Sequence, residues 1–337
     1  MLARILAVFR ARNLEFLRDR GTMAWNVVLP FALVFGLSFV FGNENRPEYT
    51  VGVLGEYDAE QAQPHSFLEL RYLRFVSVAD AADGARKVGR HQLDLLVDID
   101  GRRYWVNPDS PKGYFVELAL AQSGNGEFSR QETAGDAVGY VDWVLPGILG
   151  MNMMFSSLFG VGYVVVRYRK NGFLKRLRAT PLRAFEFVVA QVLSRLLLTL
   201  LITTAVFTGI ALLLDIQVAG SYLLLFLIAT LGAVSLISLG LLIASRVTSE
   251  ELAGGLLNLT TWPMMMLSGV WFSLEGADPW VRDLASIFPL THVLESARAV
   301  MLDGAGLLAV TPELLTLAAM SAAFMAAGGL LFRWHPS

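Results

Sequence analysis

Residue types that catalyse reactions are sparse in this chain and form no recognisable constellation. The histidines are His65, His91, His292 and His335, and none has a second metal ligand at the usual spacing. The absence of cysteine excludes a thiol nucleophile, iron–sulfur ligation and disulfides. The phosphate-binding motif G-x-x-x-x-G-K-[ST] and the hydrolase motifs G-x-S-x-G and H-E-x-x-H do not occur. We therefore predict that this chain binds no cofactor or metal, is not an enzyme by itself, and exposes His65 and His91 to solvent.

The most organised candidate segment is a basic loop at residues 167–186. It carries seven basic residues, and Phe173, Leu174 and Leu177 form an apolar edge among them. Thr180 and Pro181 then end one short helix and begin another, because proline is well accepted in a first helical turn. The charges alone could be a signal that retains the loop inside the cell. An amphipathic helix followed by a proline break indicates a docking surface as well.

One basic residue, Arg195, lies inside a long apolar segment. An arginine at the centre of a membrane span costs about 2.5–3.5 kcal/mol on insertion scales. It can face an anionic headgroup or a partner helix on a transport path. The simpler interpretation is that its side chain snorkels to the inner headgroups.

A second candidate region lies toward the other side of the membrane. Glu295 and Arg298 are three residues apart on one predicted helix, so a local structural pair is the simpler interpretation. Met264–Met266 follow Pro263, which breaks a helical hydrogen bond. Met265 could line a pliable path between subunits, although ordinary apolar packing explains it equally simply.

Composition assigns the elements that carry these residues to a membrane. The 337 residues are 55% hydrophobic and 17% charged, with a mean hydropathy of +0.53. A soluble chain carries about 25% charge, and a disordered one carries few apolar residues. The net charge of −2 gives no global basic character, so no nucleic-acid partner is predicted.

Apolar runs of about 20 residues are long enough to cross a bilayer as helices. Six such runs occur, which predicts six spans. They are Met23–Gly42, Trp143–Val166, Phe187–Leu214, Tyr222–Ser245, Leu252–Leu274 and Leu307–Phe332. The first run is too long for a signal peptide, so we expect a retained anchor.

The basic residues fix the predicted orientation. Fourteen arginines and lysines lie in residues 1–22, the loop 167–186 and directly after the fourth and sixth runs. The short connections on the other face hold two, Arg282 and Arg298. The positive-inside rule therefore predicts cytoplasmic termini in a multi-pass bacterial inner-membrane protein.

Two long segments, residues 1–22 and 43–142, are predicted outside the spans. Residues 1–22 place apolar side chains at helical spacing, which is typical of an interfacial amphipathic helix that contacts lipid or another protein. Residues 43–142 alternate strand and helix patterns and predict a small extracytoplasmic α/β domain. Its expected strands are 50–54, 75–78, 93–99 and 103–106, its expected helices are 80–89 and 112–122, and residues 68–73 are ambiguous.

The connection 275–306 is predicted to form short external helices. One covers 279–285 and another covers 293–301, with Phe288-Pro289 between them. Both are too short to cross a bilayer, so we expect a re-entrant or interfacial element.

Three motifs, in this order, make the chain resemble the membrane subunit of a type-2 ATP-binding-cassette (ABC) exporter. The loop follows that family's pattern G-x-L-x-x-L-x-x-[ST]-P-x-x-x-x-E, and a small-residue turn and an F-P-L-T-x-x-x-E-x-x-R helix follow later. The matching residues are Gly172, Leu174, Leu177, Thr180, Pro181 and Glu186, then Ser268, Gly269 and Pro279, then Pro289, Leu290, Thr291, Glu295 and Arg298. Arg169 and Lys170 depart from the family, since many members carry an acidic residue there.

The resemblance implies a permease domain at residues 143–332 that works as half of a transporter. Two membrane subunits, expected here as a homodimer, would join two cytoplasmic ATPase subunits that bind ATP and Mg²⁺. Residues 172–178 would be the coupling helix, with Phe173 on its apolar edge, and the N-terminal helix would contact the same ATPase. Glu186 would pair with that partner or remain solvated.

The predicted function is ATP-driven export of a hydrophobic small molecule, drug or lipid-like compound. Ser268, Gly269, Pro289, Glu295 and Arg298, together with Arg195 and Met265, are the candidate path or gate residues. Two alternatives stay open at this point. One is a non-transporting ABC-type scaffold or sensor, and the other is a polytopic membrane enzyme, which the lack of an acid–base cluster disfavours.

Overall fold

The computed structural model describes residues 1–41, 49–55, 67–68, 70–89, 93–123, 128–133, 140–214, 216, 218–271, 274 and 278–331. The chain divides into two compact units. The helical unit comprises Met1–Phe39 and Val141–Ser337, and the sheet unit comprises Val40–Tyr140. His65, His91 and His335 lie outside the described residues, so the predicted exposure of His65 and His91 stays a prediction.

The helices are numbered in chain order. They are α1 (Leu2–Arg18), α2 (Arg20–Phe41), α3 (Ala81–Gly89), α4 (Pro111–Gln122), α5 (Tyr140–Leu158), α6 (Val164–Lys170), α7 (Phe173–Arg178), α8 (Ala184–Leu214), α9 (Tyr222–Ala244), α10 (Glu250–Leu267), α11 (Pro279–Ala285), α12 (Pro289–Met301) and α13 (Thr311–Leu331). The strands are β1 (Tyr49–Leu54), β2 (Leu73–Val78), β3 (Leu95–Asp98), β4 (Arg103–Val106) and β5 (Ser129–Glu132).

Within the described residues, five helical segments are long and apolar enough to cross a membrane. They are Arg20–Leu37, Val141–Lys170, Phe185–Leu214, Tyr222–Ala244 and Thr311–Leu331. Each overlaps one of the six predicted runs.

The remaining predicted run, Leu252–Leu274, does not form a span of that kind. Its helix, α10, ends at Leu267 and has 18 residues, as many as the segment Arg20–Leu37, so its length does not set it apart. It is less apolar than the five segments, because Asn258, two threonines and Pro263 interrupt its apolar residues. The first turn of α10 carries Glu250 and Glu251, and Gly269 beyond its end adopts φ +76°. The predicted apolar run extends beyond Leu267, where the helix ends, and six spans are therefore not confirmed.

The central span is a continuous helix of α5, a π-helical segment at Phe159–Tyr163, and α6. It packs against α9 and α12 through Met154, Leu236 and Leu290, which are fully buried. Gly240 of α9 lets the backbones approach, because an added Cβ would lie 3.0 Å from the carbonyl oxygen of Leu158.

The predicted external helices are present, and the second is longer than expected. α11 covers Pro279–Ala285 as predicted, whereas α12 begins at Pro289 rather than at Val293. Proline is accepted at the first helical position because its missing N–H would have no intrahelical partner there. Phe288-Pro289 therefore starts α12.

The sheet unit contains a five-stranded sheet in the order β2-β1-β3-β4-β5. β1 runs parallel to β2 and β3, β3 pairs antiparallel with β4, and β4 runs parallel to β5. Val51, Leu95 and Val97 face α4 through Val116 and Leu120. Leu96 packs on the other side with Val78 and Val88.

The sheet differs from the predicted strands mainly at β2, β3 and β5. β3 is shorter than the predicted 93–99, and residue 73 of the ambiguous segment begins β2. β5 was not predicted, because its residues Ser129–Glu132 are all exposed and lack the apolar alternation that marks a strand. The extracytoplasmic position of the sheet unit stays a prediction.

We predict that Asp98→Asn destabilises the β3–β4 turn in a pH-dependent manner. Burial raises the pKa of Asp98, but hydrogen bonds from Arg103 Nη2 (2.8 Å) and Gly101 N (2.8 Å) outweigh it and hold the pKa below 3.8. The carboxylate therefore stabilises the fold above its unfolded pKa and loses this effect as the pH falls through the lowered value. We expect a loss of about 1 kcal/mol at pH 6 that shrinks below about pH 4.

Hydrogen–deuterium exchange of peptides covering residues 95–106, in full-length protein at pH 6 and pH 3, measures this difference. Asp109→Asn is the matched control, because Asp109 is an exposed carboxylate in the same unit. Equal protection in the Asp98 variant and the wild type at pH 6 would contradict the prediction.

Candidate functional site

A short helix, α7, is present where the coupling helix is predicted, and a glycine sets its direction. α6 ends at Lys170, and Gly172 adopts φ +67° directly before Phe173. This left-handed conformation favours glycine, because a Cβ destabilises it. An added Cβ would meet nothing within 4 Å, so the requirement is conformational rather than steric.

The predicted docking residues separate into an inner and an outer set. Leu174 is only 1% exposed and packs with Val166 of α6 and Phe187 of α8, and Leu177 packs against the same cluster. Lys175 and Arg176 are exposed. The leucines of the motif anchor α7 to its own chain, so the basic side chains form its accessible surface.

Phe173 lies between these two sets. Its side chain is 38% exposed, and its ring centroid lies 4.8 Å from that of Tyr168. It therefore contributes both to packing and to the accessible surface.

The turn after α7 connects the loop to α1. The hydroxyl of Thr180 donates to the Leu177 carbonyl oxygen at 2.5 Å, and the carbonyl oxygen of Pro181 accepts from Arg4. Glu186 is 1% exposed, accepts from the Arg183 backbone N–H at 2.9 Å and pairs with Arg4 at 3.4 Å. Neither expectation for Glu186 describes this arrangement, because the carboxylate is buried and its cation comes from α1.

A second group of polar contacts holds α1 further along. Arg12 donates from Nε to Gln191 Oε1 at 3.0 Å and from Nη1 to Glu15 Oε2 at 2.8 Å. Arg167 also contacts Glu15, at 3.1 Å. Burial raises the pKa of Glu15, but the Tyr168 hydroxyl and the two arginines outweigh it and lower that pKa. Glu15 therefore stays ionised and links α1 to α6.

Arg169 and Lys170, where many relatives carry an acidic residue, have structural partners. The Arg169 guanidinium donates to the carbonyl oxygens of Ala244 (3.0 Å) and Ser245 (3.1 Å) at the end of α9. A cation is favourable at a helix C-terminus. Lys170 lies 3.5 Å from Glu250. The burial of Arg169 has no signal in the local sequence, because its acceptors are backbone atoms about 75 residues away.

Arg195 is buried, at 7% exposure, and does not snorkel to solvent. Its Nη2 donates to Ser156 Oγ at 2.5 Å, and its guanidinium carbon lies 5.5 Å from the centre of the Phe16 ring. It lies against Gly160 in the π-helical segment, where an added Cβ would be 2.1 Å from that carbon. The side chain is therefore buried against α1 and the π-helical segment, and its depth relative to the inner headgroups stays a prediction.

Several outer candidates meet where α10 ends and α12 begins. The Thr291 hydroxyl lies 3.0 Å from Ser268 Oγ and donates to the Ala285 carbonyl oxygen at 2.6 Å. Gly269 supplies the turn, Pro289 starts α12, and Met265 is buried in the main apolar cluster. These contacts fasten α10, α11 and α12 together.

Glu295 and Arg298 do not form the expected pair. No ion pair within 4 Å joins Glu295 to Arg298 among the described residues. Arg298 Nε instead donates to the Trp143 carbonyl oxygen at 3.2 Å, and its guanidinium lies 3.8 Å from the Trp143 ring centre. The arginine therefore joins α12 to α5 through a cation–π contact, and Glu295 is exposed.

We predict that Leu174→Ala lowers the free energy of unfolding by about 2–5 kcal/mol, because it leaves a cavity among α6, α7 and α8. Phe173→Ala is the matched control and should cost less, since Phe173 is already 38% exposed. Thermal and denaturant unfolding of purified full-length protein in one detergent compares the two. Equal losses would show that Leu174 is not the anchor.

Comparison with known proteins agrees with this architecture. Residues 104–302 match the family described as ABC-2 type transporter. The inner membrane transport permease YhhJ of Escherichia coli is 29% identical over 188 residues, which cover 54% of this chain and about half, 49%, of that relative. The probable multidrug ABC transporter permease YbhR of E. coli is 25% identical over 334 residues, covering 91% of this chain and 90% of the relative.

A eukaryotic protein shares the same region. The ABC transporter G family member 20 of Dictyostelium discoideum is 28% identical over 225 residues, which cover 64% of this chain and 30% of that protein. The family match covers more than half of the chain and includes α5–α12, whose packing is described above. The chain therefore belongs to the ABC-2 type transporter family, as a membrane permease subunit.

Proposed function

We propose that this chain is the transmembrane subunit of an ATP-driven exporter that couples to a separate cytoplasmic ATPase through α7 and α1. The observation that carries the proposal is the two-sided arrangement of α7. Leu174 is buried and Leu177 is half-buried against the cluster that α6 and α8 share, while Lys175 and Arg176 are exposed beside them. A surface that is rigidly attached to two spans and accessible on its other side can transmit a partner's movement to the membrane.

The attachment is short and direct. Leu174 touches the cluster that contains Val166 at the end of one span and Phe187 at the start of the next. Arg4 joins α1 to the same turn through Pro181 and Glu186. Displacement of α7 would therefore move α1, α6 and α8 together, because each contact is buried or charge-assisted.

The helical unit also offers a space for an apolar substrate. A cavity of about 340 Å³ lies among α5, α8, α9 and α12. Its lining is mostly apolar and includes Met153, Phe207, Phe226 and Val293, with Thr203 and Thr208 as polar groups. Small-molecule sites combine an apolar wall with a few polar groups in this way. This lining, together with the similarity to YbhR, a probable multidrug ABC transporter permease, supports a hydrophobic small molecule, drug or lipid-like compound as the substrate class.

A second copy of the chain completes the proposed transporter. α10 leaves Leu252, Leu259, Trp262 and Met266 exposed on its surface. Such a face is stable against lipid or against another apolar helix. In the proposed homodimer the cytoplasmic termini and the two α7 helices lie on the same side of the bacterial inner membrane, and ATP and Mg²⁺ bind the ATPase.

We predict that the double variant Lys175→Glu/Arg176→Glu loses the ATPase in co-purification while its own unfolding temperature stays within about 2 °C of the wild type, because exposed substitutions cost little. Lys112→Glu/Arg130→Glu, in the sheet unit, is the charge-matched control. A variant that folds normally and retains the ATPase would contradict docking through α7.

Transport itself is tested in inverted membrane vesicles that contain this chain and its co-purifying ATPase. We expect ATP-dependent accumulation of a lipophilic fluorescent dye, abolished when the ATPase cannot hydrolyse ATP. The α7 double variant should reduce accumulation at least tenfold, because the hydrolysis free energy no longer reaches the spans. Steady ATP hydrolysis without movement of dye or of a labelled phospholipid in either direction would favour the scaffold alternative.

A further inference from the structure

A second cavity lies between α1 and α2 on one side and α5, the π-helical segment and α6 on the other. Its volume is about 530 Å³, and it differs from the apolar cavity because charged side chains line it. Arg195 and Ser156 lie in its wall, and Arg12, Glu15 and Arg167 line it as well. Neither α7 docking nor the apolar cavity explains this arrangement.

Arg195 is the uncompensated charge of this cavity. No carboxylate oxygen of the described residues lies within 4 Å of its guanidinium. Its hydrogen bond to Ser156 leaves the Nε atom buried without an acceptor in the part of the chain that the structure describes. The Phe16 ring supplies a cation–π contact at 5.5 Å but no hydrogen bond. A buried cation of this kind is stabilised strongly when an anion reaches it.

The acidic groups of the cavity are already engaged. Glu15 accepts from Arg12 and lies 3.1 Å from Arg167. Asp19 accepts from the backbone N–H and the hydroxyl of Thr22, at 3.1 and 2.6 Å. These contacts leave Arg195 to attract a ligand of negative charge.

The depth of Arg195 matches a lipid headgroup. α8 has 31 residues and is about 46 Å long, which exceeds the hydrocarbon core of ~30 Å. A helix needs about 20 residues to cross the core. If Leu214, the last residue of α8, lies at the outer boundary of the core, Arg195 therefore lies near the inner boundary. An anion that enters from the inner leaflet can therefore reach the guanidinium without crossing the core.

The cavity wall also carries side chains that suit an acyl chain. Trp25 and Leu29 of α2 line the cavity, and Phe155 and Phe159 line it from the central span. Trp25 is 65% exposed, which indicates an opening toward the surroundings of α2. Charged side chains together with aromatic and aliphatic ones in one cavity form an amphipathic site.

We propose that this cavity binds an anionic amphiphile of the inner leaflet, with its phosphate on Arg195 and its acyl chain along Trp25 and Phe159. Gly160 is part of the site, because a side chain there would occupy the position of the Arg195 guanidinium. The site is a property of this chain alone. Binding can be measured in the absence of the ATPase, so its test is separate from the test of transport.

The experiment measures tryptophan quenching in full-length protein reconstituted in phosphatidylcholine vesicles. Brominated phosphatidylglycerol or brominated phosphatidylcholine is added at equal mole fractions, and Trp25→Phe identifies the signal of Trp25. We expect phosphatidylglycerol to be preferred about tenfold at Trp25. Arg195→Gln should bring the ratio close to one, and Arg195→Lys should keep part of the preference because it retains the charge.

Controls separate this site from general attraction of anionic lipid. Arg20→Gln removes an exposed arginine at the start of α2 that does not line the cavity, and it should leave the preference intact. Ser156→Ala removes the hydroxyl that accepts from Arg195 and should reduce the preference; this variant decides the question if Arg195→Gln does not fold. An unchanged preference in a folded Arg195→Gln or Ser156→Ala variant would overturn the proposal. Inorganic phosphate that fully displaces the lipid would also overturn it, since the site would then take a free anion.

Discussion

Polar contacts between α1 and the first half of α8 hold the candidate site together. Arg4 pairs with Glu186, Arg12 donates to Gln191, and Asn13 accepts from Ser194 at 2.5 Å. Phe16 then lies over Arg195. The partners advance along both helices in the same direction, so they fix the register of α1 as well as its attachment. Both the basic surface around α7 and the wall of the charged cavity depend on this register.

A similar constraint governs the centre of the helical unit. The π-helical segment at Phe159–Tyr163 contains Gly160 and Gly162. Gly160 lies against the Arg195 guanidinium, and an added Cβ at Gly162 would be 3.2 Å from the Gly240 carbonyl oxygen and closer to Leu257. The two glycines therefore leave room for the Arg195 cation on one side of the segment and for closely packed helices on the other. π-helical turns inside α-helices frequently occur at functional sites.

The sequence predicted what depends on local composition and missed what depends on distant partners. Five spans, α1, α7 and α11 follow from apolar runs, helical spacing and proline positions. β5 was not predicted, because its exposed polar residues join the sheet through backbone pairing with β4 and show no apolar alternation. The length of α10 was overestimated because apolar residues continue beyond the turn at Gly269. The burial of Arg169, Glu186 and Arg195 has no local sequence signal. It depends on partners that are distant in the chain, such as Arg4 for Glu186 and Ser156 for Arg195.

α1 gives the two proposed sites a physical connection. Arg4 contacts the turn that follows α7, and Arg12, Glu15 and Phe16 of the same helix line the charged cavity. A partner that shifts α7 therefore changes the cavity wall only if α1 moves with it. The hydrogen bond from Arg12 to Gln191 of α8 and the ion pair of Glu15 with Arg167 of α6 resist a movement of α1 alone. Because coupling between two binding events is reciprocal, an amphiphile that stabilises one position of α1 must favour the α7 geometry belonging to that position. The free energy that links the two sites is then limited by the strength of the α1–α8 contacts.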